Sequence, residues 1–194
     1  MSIVIAYKRD GIVYMGADTK RSQGNWARTI EIVNDMKIHR IGENMLIGAV
    51  GNLSHIQTMV NNREEWFNTK GQPLTKKFIV QNVIPKFFSA LKYEGKLDIE
   101  EGKSPVAKSC FCVTDGKKIF HINDYFMVTE LSDFCAIGCT EYIAYAYIRN
   151  AEKTDDVKEV ILSALRGSVH RDDGVGAPYI FIDTDKFEFT IVEK

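Results

Sequence analysis

Apolar and polar residues alternate in four short stretches near the N-terminus, and this alternation predicts β-strands. The predicted strands cover residues 2–8, 12–18, 36–41 and 45–50. Asp10-Gly11 separates the first pair and residues 42–44 separate the second, so each pair is predicted to form a hairpin. Residues 19–34 lack this alternation and contain the breaker Gly24-Asn25, so we expect them to be irregular.

The apolar period then lengthens to about 3.6 residues, which predicts helices. One helix is predicted over residues 53–67, before Gly71 and Pro73 interrupt the pattern. Another is predicted over residues 75–93, where Pro85 either kinks the helix or begins its last part. A charged loop is expected at residues 94–104.

The rest of the chain returns to strands, then helices, then strands. Strands are predicted at residues 106–114, 117–122, 125–130 and 134–138, helices at 140–151 and 155–169, and a last hairpin at 178–183 and 187–192. This order predicts an α+β fold, a four-layer αββα sandwich in which two antiparallel sheets lie between helical layers. We expect residues 1–194 to form a single domain.

The charge and hydropathy of the chain exclude several function classes. Lys plus Arg number 25 and Asp plus Glu number 26, a net charge of −1, so no basic surface for nucleic acid is indicated. No apolar run reaches the roughly 18 to 20 residues of a membrane span. Charged residues interrupt the apolar run near the start, so we expect no signal peptide and a cytoplasmic protein.

The cysteines do not have the spacing of a zinc site. They form the patterns Cys-x-Cys and Cys-x-x-x-Cys, whereas zinc sites usually contain CxxC pairs. We therefore expect thiols rather than disulfides, with no metal and no cofactor, at Cys110, Cys112, Cys135 and Cys139.

Ser2 is a candidate nucleophile. Methionine before a small residue is normally removed in the cytosol, which would give Ser2 a free α-amine. Such an amine has a pKa near 7.7–8.0 and can take the proton of the hydroxyl on the same residue. A Met-Ser start is also common in proteins that do no chemistry there.

Further residues are predicted to surround Ser2. The first hairpin places Asp18 beside the N-terminus, and Lys37 could reach the same corner. The lysine would lower the pKa of the amine, and Gly51 could offer its N–H to an oxyanion. Asp18 and Lys37 could equally form a structural ion pair, and the step from Gly51 to Asn52 could be an ordinary helix cap.

Several segments resemble one family along residues 2–192. They are GADTK, GNW, KIHRI, LIGAVGNLSHIQT, FCAIGCTEYIAYAYI and VHRDDGVGAPYIFI. These segments resemble the β-type subunits of the proteasome and the bacterial ATP-dependent peptidase that forms two rings (HslV-like). The resemblance implies an N-terminal-nucleophile hydrolase with the αββα fold.

The resemblance also implies roles for individual residues. Those with implied catalytic roles are the nucleophile Ser2, the acidic partner Asp18, the pKa-tuning Lys37, the oxyanion donor Gly51, Cys139 in place of a usual Ser, and the supporting Asp172. Those implied to line the first specificity pocket are Arg21, Ala49 and Leu53, where the small Ala49 would leave the pocket deep. Ser2 stands for the usual Thr, and Val175 replaces a Ser of the family pattern.

The implied function is a self-compartmentalising endopeptidase that cuts unfolded proteins inside stacked homo-oligomeric rings. The chain lacks a GxxxxGK[ST] phosphate loop, so any AAA+ ATPase unfoldase would be a separate partner. Two alternatives remain open. One is a non-catalytic shell protein on the same fold, favoured by Cys139 and Val175. The other is a small-molecule amidase of the wider N-terminal-nucleophile group.

Overall fold

Two five-stranded antiparallel sheets form the centre of the protein. The computed structural model describes residues 2–23, 26–29, 36–99, 103–169 and 175–193. In chain order the strands are β1 (Ile3–Arg9), β2 (Ile12–Asp18), β3 (Lys20–Gln23), β4 (Trp26–Thr29), β5 (Ile38–Ile41), β6 (Met45–Gly51), β7 (Ser109–Thr114), β8 (Ile119–Ile122), β9 (Val128–Leu131), β10 (Phe134–Gly138), β11 (Tyr179–Asp183) and β12 (Glu188–Val192). The first sheet has the order β10-β1-β2-β11-β12, the second has the order β5-β6-β7-β8-β9, and β3 pairs with β4.

Helices cover the outer face of each sheet. They are α1 (Leu53–Asn61), α2 (Arg63–Trp66), α3 (Lys76–Phe78), α4 (Ile84–Tyr93), α5 (Glu141–Asn150) and α6 (Val157–Val169), and a π-helical segment, Ile79–Val83, joins α3 to α4. Residues of α1 to α4 share one apolar cluster with the second sheet. Residues of α5 and α6 share another with the first sheet.

A third apolar cluster fills the space between the two sheets. The sheets approach so closely that a Cβ on Gly48 would lie 2.5 Å from Cγ1 of Val4 and 3.0 Å from Cε of Met15. A glycine in the centre of β6 is therefore required by the packing of one sheet on the other. The predicted α+β class and the four-layer αββα sandwich are confirmed.

Two elements differ from the prediction because local hydrogen bonds override the apolar pattern. Residues 19–34 were expected to be irregular, but β3 and β4 pair with each other on either side of Gly24-Asn25, which lies outside the described residues. The helix expected over 53–67 is broken at Asn62, which has φ −103° and ψ 4° and whose side chain donates to the Thr58 carbonyl.

The remaining differences come from turns and bridges. The π-helical segment immediately precedes Pro85, and the amide of Ile84 bonds five residues back to the carbonyl of Ile79. β7 begins at Ser109, since Val106 pairs with Asp98 instead. In the described residues, no helix is long and apolar enough to cross a membrane.

Candidate active site

Ser2 lies directly before β1, at the end of the first sheet. Its carbonyl accepts a hydrogen bond from the amide of Cys139 at 3.2 Å, and Sγ of the same residue lies 3.5 Å from that oxygen. The neighbouring strand β10 ends at Gly138, which faces Ile3. A Cβ on Gly138 would lie 2.0 Å from the Ser2 carbonyl oxygen, and its φ is +127°, so only glycine fits there. Sequence reasoning missed Gly138, whose only signal was a glycine closing a predicted strand.

Asp18 and Lys37 form an ion pair one residue from Ser2. Nζ of Lys37 donates to Oδ1 of Asp18 at 2.5 Å, and the amide of Ile3 donates to the same oxygen at 2.9 Å. The side chains of Asp18 and Lys37 are 0% and 7% exposed. Nζ also donates to the Lys20 carbonyl at 2.7 Å. The prediction that Asp18 lies beside the N-terminus and that Lys37 reaches it is confirmed.

Burial and the lysine act on the Asp18 carboxyl in opposite directions. Burial raises its pKa above the ordinary value, while the Lys37 charge and its hydrogen bond act to lower it, as does the Ile3 amide. The Gly176 amide also acts to lower the pKa of Asp18, and within the described residues Oδ2 has no hydrogen-bond partner at ordinary geometry. Among the residues that the structure describes, the site therefore contains a buried charge pair with one carboxylate oxygen that accepts no hydrogen bond of ordinary geometry.

Gly51 ends β6 and has a φ of +117°. A Cβ there would lie 2.3 Å from the Lys108 carbonyl oxygen, so glycine is required. The amide of Ala49 bonds to the carbonyl of Lys37 at 2.8 Å. Because amides in an antiparallel strand alternate in direction, the Gly51 amide points to the same side as the Ala49 amide, toward the segment that carries Lys37.

The expected helix cap is also present. The side chain of Asn52 accepts a hydrogen bond from the Ser54 amide at 2.9 Å and begins α1. The cap uses the side chain of Asn52, whereas the oxyanion would be bound by the backbone amide of Gly51. The cap and the oxyanion-donor hypotheses are therefore compatible.

The predicted pocket residues lie in different surroundings. Ala49 is 2% exposed and packs in the cluster between the second sheet and the helices. Leu53 is 42% exposed in the first turn of α1. The backbone of Arg21 belongs to β3, and its side chain lies outside the described residues. The specificity pocket stays a prediction.

The chain at Pro178, which follows the His-Arg-Asp sequence at residues 170–172, contacts the residue after β2. Asp172 lies outside the described residues. The amide and hydroxyl of Thr19 both donate to the Pro178 carbonyl, at 3.0 and 2.8 Å. Val175 is fully buried in the cluster with α5 and α6. The link between Thr19 and Pro178 was missed, because nothing in the sequence pairs positions so far apart.

The described parts of the chain contain no group of three His, Cys, Asp or Glu side chains that could hold a metal ion. The four cysteines are free thiols. A cavity of about 540 Å³ lies between α5 and α6, and one of about 890 Å³ lies beside the hairpin turns at Gly11 and Gly42. Neither of these cavities is lined by a predicted site residue. The polar side chains that the structure places beside the Ser2–Ile3 backbone are the Asp18 carboxylate and the Lys37 ammonium.

Comparisons with known proteins concern the family and the fold of the chain. The family described as "Proteasome subunit" matches residues 2–179, whereas no curated protein matches the chain. BPH from Thiobacillus denitrificans has a similar structure, with a TM-score of 0.73 and 17% identity over 98% of both chains. The same protein in complex with epoxomicin gives a TM-score of 0.69 and 18% identity over 99% of this chain and 100% of that one. HslV from Trypanosoma brucei gives a TM-score of 0.67 and 15% identity over 99% of both chains.

The structural similarity confirms the N-terminal-nucleophile hydrolase fold, with two antiparallel sheets between helical layers. The family match confirms the resemblance seen in the sequence motifs. Because that match spans nearly the whole sequence, the chain belongs to the proteasome subunit family.

Proposed function

We propose that this chain is a peptidase subunit in which Ser2, freed by removal of Met1, is the N-terminal nucleophile. The observation that carries the proposal is the buried ion pair of Asp18 and Lys37, hydrogen-bonded to the backbone one residue from Ser2. Burying two charges costs several kcal/mol of desolvation, so such a pair is weak evidence for a purely stabilising role. A charge pair placed beside a potential nucleophile is better suited to tuning its chemistry.

The reaction would be acyl transfer. Oγ of Ser2 attacks the scissile carbonyl, and the α-amine of the same residue accepts the hydroxyl proton. The amide of Gly51 donates to the oxyanion, and the C–N bond breaks as the leaving amine takes the proton. A water molecule then attacks the ester, releases the acid product and restores the Ser2 hydroxyl.

The lysine and aspartate would prepare the amine for this role. The ammonium of Lys37 favours the neutral form of a nearby amine, since a like charge lowers the pKa of a cationic acid. Asp18 fixes the position of that ammonium and holds the Ile3 amide through the same oxygen. The amine would then be available as a base at neutral pH.

Membership of the proteasome subunit family supports a proposal about the wider assembly. Proteasome-type subunits form stacked rings, and we propose that this chain forms a homo-oligomeric ring whose interior holds Ser2. Its substrates would be unfolded cytoplasmic proteins, delivered by a separate AAA+ ATPase. The complex of BPH with epoxomicin supports epoxomicin as a ligand to test on this chain.

The test is peptide hydrolysis by the native-expressed protein and two serine variants. Ser2→Ala should abolish turnover of a fluorogenic peptide and leave the oligomeric mass unchanged. Ser132→Ala, which removes an exposed hydroxyl that bonds only to the adjacent Asp133 carboxylate in the described contacts, should retain turnover. Unchanged turnover in Ser2→Ala would refute the nucleophile assignment.

A second candidate is a non-catalytic shell subunit. The full burial of Val175 in an apolar cluster favours it, because this position carries a Ser in the family pattern and offers no hydroxyl here. A shell subunit would assemble normally and show no turnover that depends on Ser2. The hydrolysis experiment therefore separates the two candidates.

A further inference from the structure

We infer that Ser109, together with the carbonyl of Lys108, is a positioning residue that holds the Gly51-Asn52 turn in the orientation needed for an oxyanion donor. The inference rests on the proposed function, because it concerns the amide that would stabilise the oxyanion. Ser109 lies in β7, outside the segments that resemble the proteasome family.

Two hydrogen bonds join the beginning of β7 to the Gly51-Asn52 turn. The amide of Asn52 donates to the Lys108 carbonyl at 2.7 Å. The hydroxyl of Ser109 donates to the Asn52 carbonyl at 3.2 Å. The backbone amide and carbonyl of Asn52 are thus held by two successive residues, Lys108 and Ser109, at the beginning of β7.

Steric contact makes the same connection tight. A Cβ on Gly51 would lie 2.3 Å from the Lys108 carbonyl oxygen, 2.6 Å from Cα of Ser109 and 3.0 Å from its Oγ. The backbone of the turn therefore lies against the backbone of β7 with no space for a side chain. Ser109 is only 3% exposed, so water does not readily replace its hydroxyl.

The segment that supplies these groups is anchored on its other side. Asp98 and Val106 exchange backbone hydrogen bonds of 3.3 and 3.1 Å. Nζ of Lys108 lies 2.7 Å from Oδ2 of Asp98, and the Ala107 amide donates to the Asp124 carbonyl at 2.8 Å. Residues 106–109 are therefore held by contacts that do not involve the Gly51-Asn52 turn.

Loss of the Ser109 hydroxyl should affect the turn without removing the helix cap. The Asn52 carbonyl also accepts from the Ile56 amide at 3.0 Å, so α1 keeps its first backbone bond. The variant loses the hydrogen bond by which the Ser109 hydroxyl of β7 restrains the Asn52 carbonyl. A catalytic donor that moves away from the developing oxyanion stabilises the transition state less, which lowers kcat and leaves KM unchanged.

The experiment compares Ser109→Ala with Thr114→Val. Both variants remove one buried hydroxyl from β7, but Thr114 lies at the far end and accepts from the Gly116 amide. We expect Ser109→Ala to lower kcat about tenfold with KM unchanged, and Thr114→Val to leave both unchanged. Hydrogen exchange at the amides of residues 51–53 should be faster only in Ser109→Ala.

The outcomes separate this inference from the proposed function. If the wild type turns over peptide and Ser109→Ala has the same kcat, the positioning role is refuted. If the wild type shows no turnover that depends on Ser2, the proposed function fails, and hydrogen exchange still decides whether Ser109 restrains the turn. Equal exchange at residues 51–53 in wild type and Ser109→Ala overturns the inference in either case.

Discussion

Replacement of Lys37 by methionine should strongly destabilise the protein. The lysine is 7% exposed and Asp18 is fully buried, so removal of the ammonium leaves a carboxylate without its counter-ion. Methionine fills a similar volume, which keeps a packing defect from dominating the result. The variant also removes the donor to the Lys20 carbonyl.

The expected size follows from burial. Breaking a buried ion pair by removing one partner costs about 3–5 kcal/mol, because the remaining charge is buried and uncompensated. The double variant Asp18→Asn/Lys37→Met has no unpaired charge and should lose less than the single variant. In contrast, Lys86→Met breaks an ion pair whose partners are 45% and 73% exposed, and should cost under about 1 kcal/mol.

The pH dependence of the Lys37→Met variant has a definite sign. Burial raises the pKa of Asp18, and the variant removes the Lys37 charge and hydrogen bond that act to lower it. An acid whose pKa is raised on folding binds more protons in the native state, so its contribution to stability is lost as pH rises through that window. The deficit of Lys37→Met relative to wild type should therefore shrink between pH 7 and pH 5.

Urea unfolding at one fixed protein concentration measures these differences, since assembly shifts apparent stability. The four proteins are wild type, Lys37→Met, Asp18→Asn/Lys37→Met and Lys86→Met. A loss below about 1 kcal/mol for Lys37→Met, or a deficit that grows toward pH 5, would refute the reasoning about the buried pair.

Three further predictions concern other parts of the structure. Gly138→Ala should cost more than about 2 kcal/mol in thermal or urea unfolding, whereas Gly95→Ala, with a φ of +65° and nothing within 4 Å of its Cβ, should cost about 1 kcal/mol. Equal losses would contradict the close contact described for Gly138. Cys139→Ser should raise kcat about two- to tenfold in peptide hydrolysis, because a hydroxyl forms stronger hydrogen bonds than a thiol; a lower kcat would count against this. Burial lowers the pKa of His55 and His121. Below about pH 6.5 the unfolded chain therefore binds protons that the native state does not bind. The free energy of unfolding should fall from pH 7 to pH 5 as a result. A His55→Gln/His121→Gln double variant should show a flatter dependence in urea unfolding, and an equally steep one would refute the assignment.

The sequence predicted the features that depend on short-range pattern. Alternation and the Asp10-Gly11 turn fixed the register of the first hairpin, which placed Asp18 beside Ile3. The change of period after residue 50 predicted helices in the part of the chain where the structure has α1 to α4. Lys37 was placed correctly because it directly precedes a strand that pairs with β6.

Features that depend on contacts distant in sequence, or on the hydrogen bonds of single side chains, were not predictable in this way. The amide of Asn52 bonds to Lys108, more than fifty positions away, and no periodic pattern indicates such a pair. The break at Asn62 depends on a side chain that bonds to its own helix, and this competes with the helical pattern without altering it. The turn before β9 is longer than predicted. The side-chain oxygen of Asn123 accepts hydrogen bonds from the amides of Tyr125 and Met127, and this holds residues 123–127 in the turn.

The most direct test of the central claim is the intact mass of the native-expressed wild-type protein. It is measured before and after incubation with a β-lactone that acylates N-terminal hydroxyl nucleophiles. The account predicts a chain without Met1 that gains one adduct per subunit, located on Ser2. A retained Met1, or a free N-terminal Ser2 that gains no adduct, would contradict the claim that this chain is a peptidase with an N-terminal nucleophile.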